Sequence, residues 1–162
     1  MTSPRWLDDR EREAWVRLGS LIQLLPAALD TQLRRDSDIT HFEYWVLAML
    51  SEAPERTLRM TALAERTSST LSRLSHVVSR MEDRGLVERR PCPADRRATN
   101  ATLTDGGWQK LVATAPGHVE AVREYVFDAL TDDQVAQLTE ITEALLQRVD
   151  PDGTRTGHVR RT

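Results

Sequence analysis

The sequence predicts a mainly α-helical chain with one small β-hairpin, the wing of a helix-turn-helix domain, and further helices at both ends. Three observations predict this. Apolar residues recur at steps of three and four over most of the chain, which places them along helix faces. Ser, Thr or Asp stands just before several of these stripes, where a side chain can cap a free amide. The stretch "LVERRPCPADRRATNATLT" breaks the helical pattern with two prolines between short alternating segments.

The first helix is expected from about Leu7 to Arg34, with Trp15, Leu18, Ile22, Leu25 and Leu29 on one face. Pro26 lies inside it and predicts a kink or break, because proline has no amide donor and crowds the preceding turn. So long an apolar stripe predicts packing against a partner. Thr40 and Glu43 stand three apart, as in a capping box, ahead of Phe42, Trp45, Val46, Met49 and Leu50. Pro54 should end that second helix, since the residue before a proline disfavours the helical region.

"RMTALAERT" reads as a short third helix. "SSTLSRLSHVVSRMEDRG" reads as a fourth, with Leu71, Leu74, Val77, Val78 and Met81 as its buried side. Ser69 or Thr70 caps its start, and Gly85 suits the left-handed position that stops it. "LVERR" and "NATLT" are strands around the turn "PCPADRRAT", whose prolines and Asp favour reversal. Thr104 then caps a helix marked by Leu111, Ala115, Val122, Val126 and Leu130, with Pro116-Gly117 expected to bend or break it. Thr131 and Gln134 form a second capping box for a last helix carrying Val135, Leu138, Ile141, Leu145 and Leu146. Residues 150–162 are expected to be a flexible tail.

Charge is unevenly spread. The 162-residue chain has a formal charge of −3. From Arg66 to Arg97, eight arginines stand against four acids, so this window carries +4 and the remainder −7. One polyanion-binding surface on an acidic body explains such a separation. The order helix, helix, short helix, helix, strand, Arg-rich turn, strand is that of a winged helix-turn-helix. In that fold the fourth helix enters the major groove of DNA. Its outward residues are Thr70, Ser72, Arg73, Ser75, His76 and Arg80. Arg73 is the candidate for a bidentate contact to guanine. Arg80 and Arg84, further along, are expected on the DNA backbone. Arg96 and Arg97 would approach the minor groove, whose narrow form attracts arginine, or its phosphates. Asp95 would pair with a wing arginine and fix its direction.

The segment "LAERTSSTLSRLSHVVSRMEDRGLVERRPCPADRRATNATLTDGG" resembles the DNA-binding core of the MarR family, the multiple-antibiotic-resistance-type regulators. The wing Asp95-x-Arg97, the junction "EDRGLVERR" and "LTDGG" carry the resemblance, which extends over about residues 10–148 in element order and 58–107 in motif detail. It implies a homodimeric repressor of a nearby promoter, bound to double-stranded DNA with a near-palindromic operator. Residues 1–36 and 104–149 would form the helical dimerisation region and residues 37–103 the DNA-binding domain. It also implies release by a small aromatic effector in a crevice that Trp15, His41, Trp45 and Trp108 would border. The rival reading is a helical protein-interaction module whose winged domain no longer binds DNA.

Other functions find little support. The sequence has no Gly-rich phosphate loop, no Gly-x-Ser-x-Gly turn and no histidine pair at metal-ligand spacing, so neither catalysis, a cofactor nor a metal is expected. Cys92 is the only cysteine, which excludes an internal disulfide. It reads as a passive thiol at the wing edge. The start "MTSPRWLDDRERE" has no signal-like apolar core, and no run reaches the ~18 apolar residues of a membrane span. A cytoplasmic protein is expected.

Overall fold

The computed structural model describes residues 3–153 and Arg155, so most of the expected tail lies outside the described residues. Six α-helices and three strands follow in the order α1 Asp9–Ser37, α2 His41–Ser51, β1 Thr57–Arg59, α3 Met60–Arg66, α4 Leu71–Asp83, β2 Val87–Cys92, β3 Asp95–Leu103, α5 Asp105–Tyr125 and α6 Asp132–Val149. Single 3-10 turns precede β1 and α6, at Pro54–Arg56 and Phe127–Ala129. The fold is mainly α with a small antiparallel sheet, as the sequence predicts.

Local chemistry fixes the helix ends. Reciprocal capping boxes start α1 at Asp8 and Glu11, α2 at Thr40 and Glu43, and α6 at Thr131 and Gln134. Each satisfies two amides that the first turn leaves without intrahelical partners. The box at Asp8 was not foreseen. Thr70 caps α4 and Thr104 caps α5, each hydroxyl accepting from an amide three residues on. Gly85 follows α4 at φ +70°, a conformation that costs glycine little.

Of the kinks or breaks expected at the prolines, the breaks do not occur. α1 runs unbroken through Pro26 and α5 through Pro116-Gly117. Each proline costs one backbone hydrogen bond, to the carbonyl four residues earlier. Those residues, Ile22 and Val112, are more than half exposed, so water can serve the carbonyls that lose a partner.

The strands pair in the order β1-β3-β2, with Leu58 opposite Ala101 and Val87 opposite Leu103. β1 escaped the sequence reading because it is only three residues long and has no alternating stripe. The wing strands reach further toward the tip than "LVERR" and "NATLT", leaving Pro93-Ala94 as the turn between them.

The core gathers Leu33 of α1, Val46, Leu47 and Leu50 of α2, Leu63 of α3, Leu74, Val78 and Met81 of α4, Val87, Ala101 and Leu103 of the sheet, and Leu111 of α5. Gly107 allows α5 to close on the sheet. A Cβ there would collide with the Leu86 carbonyl and stand 2.6 Å from Leu103 Cδ1. Leu71, expected in the buried stripe, is 47% exposed. As the first residue of α4 it opens into a notch between α3, α4 and β3 instead of the core.

The two ends of the chain are different. Trp15, Leu18, Ile22 and Leu24 of α1 and Ile141, Leu145 and Val149 of α6 are exposed, and α6 buries no residue. Among the described residues, no helix is long and apolar enough to cross a membrane.

Candidate nucleic-acid interface

α3, a tight turn and α4 form the helix-turn-helix. The turn is held by the Ser69 amide donating to the Ala64 carbonyl at 2.9 Å, and Ser68 takes φ +48°. The Thr67 hydroxyl also donates to the Leu63 carbonyl at 2.8 Å. These bonds aim α4, whose buried side is Leu74, Val77, Val78 and Met81. Thr70, Ser72, Arg73, His76 and Arg80 are exposed, and Ser75 is half-buried. Thr70 Oγ1 accepts from the Arg73 amide at 3.2 Å, so this hydroxyl is committed to the cap.

The arginines divide by partner. Arg89 holds Glu82 at 2.7 Å and Arg90 holds Glu88 at 2.8 Å. The Arg89 amide and then its guanidinium keep the Glu82 carboxyl below its ordinary range. Arg84 donates to the Asp38 carbonyl at 2.7 Å and lies 3.7 Å from the buried Glu43 carboxylate. It ties α4 to the α1–α2 corner, a role the sequence did not suggest. Arg80 stands beside it, lining a concavity with Arg34 and Thr40. By contrast, Arg73, Arg80, Arg96 and Arg97 meet no carboxylate within ion-pair distance among the described residues. The α4 surface and the wing tip thus keep unneutralised cations, while Arg84, Arg89 and Arg90 between them are paired.

Asp95 orients the wing in a way the sequence did not suggest. Its Oδ1 accepts from the Arg97 backbone amide at 3.1 Å, an Asx-type turn, and it pairs with no arginine side chain. Backbone direction is fixed while both guanidinium groups stay available. Cys92 is buried at the base of the turn, with its sulfur 3.6 Å from Arg59 Nη2. The Ala94 amide foremost, then the Asp95 amide and Arg59, hold its thiol below the ordinary range against the effect of burial. Arg59 comes from β1 and was missed with that strand. It joins Leu71, Ser75 and Arg97 around a notch of about 240 Å³ between the helix and the wing.

A second, larger groove of about 520 Å³ runs under α1, lined by Pro26, Ala27, Asp30, His41, Phe42, Trp45, Thr67 and Arg73. Of the four residues expected to border a crevice, His41 and Trp45 lie here. Trp15 is exposed on the outer half of α1, and Trp108 lies under the Arg56 guanidinium, 4.5 Å from ring centre to guanidinium carbon. Phe42 and Arg73 were not expected in a crevice. The His118 ring lies tilted against Tyr44, centre to centre 4.3 Å, and 6.0 Å from the His41 ring of the groove. Burial lowers the pKa of both histidines; Asp30 opposes this at His41, while His41 adds to it at His118. Among the described residues, no group of three or more His, Cys, Asp or Glu is placed to hold a metal.

Known proteins share this architecture. A MarR family model matches residues 37–98. The chain is 45% identical to Sco3205, a MarR family transcriptional regulator from Streptomyces coelicolor crystallised in complex with DNA, over 93% of this chain and 94% of that one, with a TM-score of 0.87. AbsC, another MarR family regulator from Streptomyces coelicolor, is 34% identical over 90% and 98% of the two chains, with a TM-score of 0.83. The transcriptional regulator HosA of Escherichia coli O111:H- is 37% identical over 79 residues, which make up 49% of this chain and 57% of HosA, so the chain spans little more than half of that curated relative. Similarity at this level along nearly the whole of Sco3205 and AbsC leaves one assignment: the chain belongs to the MarR family of transcriptional regulators.

Proposed function

We propose that the chain is a homodimeric, sequence-specific DNA-binding repressor that occupies a near-palindromic operator. The observation that carries this reading is the partition of its arginines. Within the arginine-rich window from Arg66 to Arg97, Arg84, Arg89 and Arg90 are paired with glutamates, whereas Arg73, Arg80, Arg96 and Arg97 are left exposed without acidic partners among the described residues. A surface kept positive in this way fits a polyphosphate backbone. Arg73, Ser72, Ser75 and His76 would meet base edges, while Arg96 and Arg97 would meet the minor groove or its phosphates. The DNA complex of Sco3205 supports the same role here.

Residues 1–36 and 104–149 are the proposed dimerisation region, and residues 37–103 the DNA-binding domain. The exposed apolar residues of α1 and α6 support this division, since a lone chain leaves them in water. The groove under α1 is the proposed effector site. Its aromatic walls, Phe42, Trp45 and His41, and its one arginine, Arg73, suit a small aromatic acid. A carboxylate held there would compete with DNA for Arg73, which favours the DNA-free state through differential affinity.

Selection of bound sites from random DNA, repeated with candidate aromatic acids, tests this reading. Enrichment of a near-palindrome, lost on addition of acid, is expected. Recovery of unenriched DNA, with affinity indifferent to salt, would remove DNA binding from the proposal.

A further inference from the structure

Leu71 is out of place. The other apolar residues of α4, Leu74, Val77, Val78 and Met81, are at most 8% exposed, but Leu71 is 47% exposed. It stands in the first turn of α4, on the wall of the notch shared with Arg59, Thr61, Ser75, Arg97 and Thr99. First-turn residues of a groove-binding helix are the ones that reach base edges. An isobutyl group there offers apolar contact to whatever enters the groove.

The surroundings select the occupant. A protein partner needs a contiguous apolar patch, and the notch sets three guanidinium groups, those of Arg59, Arg89 and Arg97, and three hydroxyls around Leu71, Met60 and Ala98. Neither Arg59 nor Arg97 has a carboxylate within ion-pair distance among the described residues. A free phosphate would suit the arginines but gain nothing from Leu71. A DNA strand supplies both chemistries, with phosphates beside a base edge. Only one base edge in the major groove carries a methyl group, that of thymine.

We propose that Leu71 is a specificity-determining residue that reads the 5-methyl group of one thymine in each half-site, while Arg59 and Arg97 hold the adjoining backbone. The inference rests on the DNA-binding reading above and adds a base identity to it. It also separates Leu71 from Arg73, since the leucine senses a methyl group and the arginine a pair of acceptors.

The test uses the full chain and the DNA site it selects. Each thymine is replaced singly by deoxyuridine, which removes only the methyl group, and affinity is measured for the parent, Leu71→Ala and Leu71→Met. At one thymine per half-site, the parent should lose about fourfold, the worth of one buried methyl-sized group. Leu71→Ala should bind the thymine and deoxyuridine forms equally, and Leu71→Met should keep most of the difference. Thermal melting should show both variants as folded as the parent, because Leu71 lies outside the core cluster. A parent that ignores every thymine-to-deoxyuridine change overturns the inference and leaves DNA binding intact. So does a Leu71→Ala variant that retains the parent's loss at the same position. A parent that selects no sequence at all overturns both.

Discussion

The Arg73 guanidinium carbon lies 4.7 Å from the centre of the Phe42 ring. The first-ranked base reader on α4 thus rests on an aromatic face of α2, which limits where its fork can point. Arg73→Ala should lose about 1–3 kcal/mol of discrimination at one base pair, the usual worth of a bidentate arginine contact. Arg73→Lys should not restore it, because an ammonium has no planar fork. Affinities for the selected site and its single-base variants check both outcomes.

Arg97 should behave differently. It stands at the wing with its backbone fixed by Asp95 and its side chain unpaired. Arg97→Ala should weaken binding about evenly across sequences and reduce the slope of log affinity against log salt by about one. Asp95→Ala should weaken binding more mildly, by freeing the backbone that its carboxylate holds at Arg97, without removing a cation. Salt titrations of all three proteins separate these effects.

The dimer is tested on α6. Ile141 is 58% exposed in the single chain, on a helix that buries nothing. Ile141→Asp should shift the protein to monomer in light scattering and abolish tight DNA binding, while the far-ultraviolet helix signal largely persists.

Gly107 gives a stability prediction. Gly107→Ala would force a methyl group against the Leu86 carbonyl at the closest approach of α5 to the sheet. A destabilisation of about 3 kcal/mol is expected, as for an overpacked core with a backbone neighbour that cannot move aside. Gly19→Ala, with nothing near its would-be Cβ, should be neutral or stabilising by comparison. Urea unfolding of the two variants makes the contrast.

The half-buried histidines set a pH dependence. Folding lowers the pKa of His41 and His118, chiefly by burial, so the unfolded chain binds more protons once pH falls below the ordinary imidazole value. Their contribution is present in full above about pH 7 and is lost as pH drops through about 6.5 toward their folded values. The Asp36 carboxyl, held at about 2 by Arg35 and Gln32, loses its contribution only at much lower pH. Stability measured between pH 7.5 and 5.5 should therefore decline in the parent, with His118→Gln showing a smaller decline.

Much of this was legible in the residues. Capping boxes at Thr40 and Thr131 and the stop at Gly85 depend on local chemistry, and local chemistry is what a sequence displays. The prolines do not break their helices, because the outcome depends on whether water can reach the carbonyl that loses a partner, which is a tertiary fact. Leu71 misled for the opposite reason: its spacing continues the buried stripe, but the core ends one turn before it. Arg84 and Arg89 looked like the other arginines until the fold brought Glu43 and Glu82 beside them. Which cations remain for a partner is decided by those pairings, and no spacing rule reports them.

The most direct measurement is a footprint of the parent and of Arg73→Ala/Arg97→Ala on the selected DNA. Two protected half-sites about one helical turn apart, roughly 34–36 Å, are expected for the parent and should vanish in the double variant. Equal protection by both proteins, or none by the parent, would contradict an α4-and-wing interface.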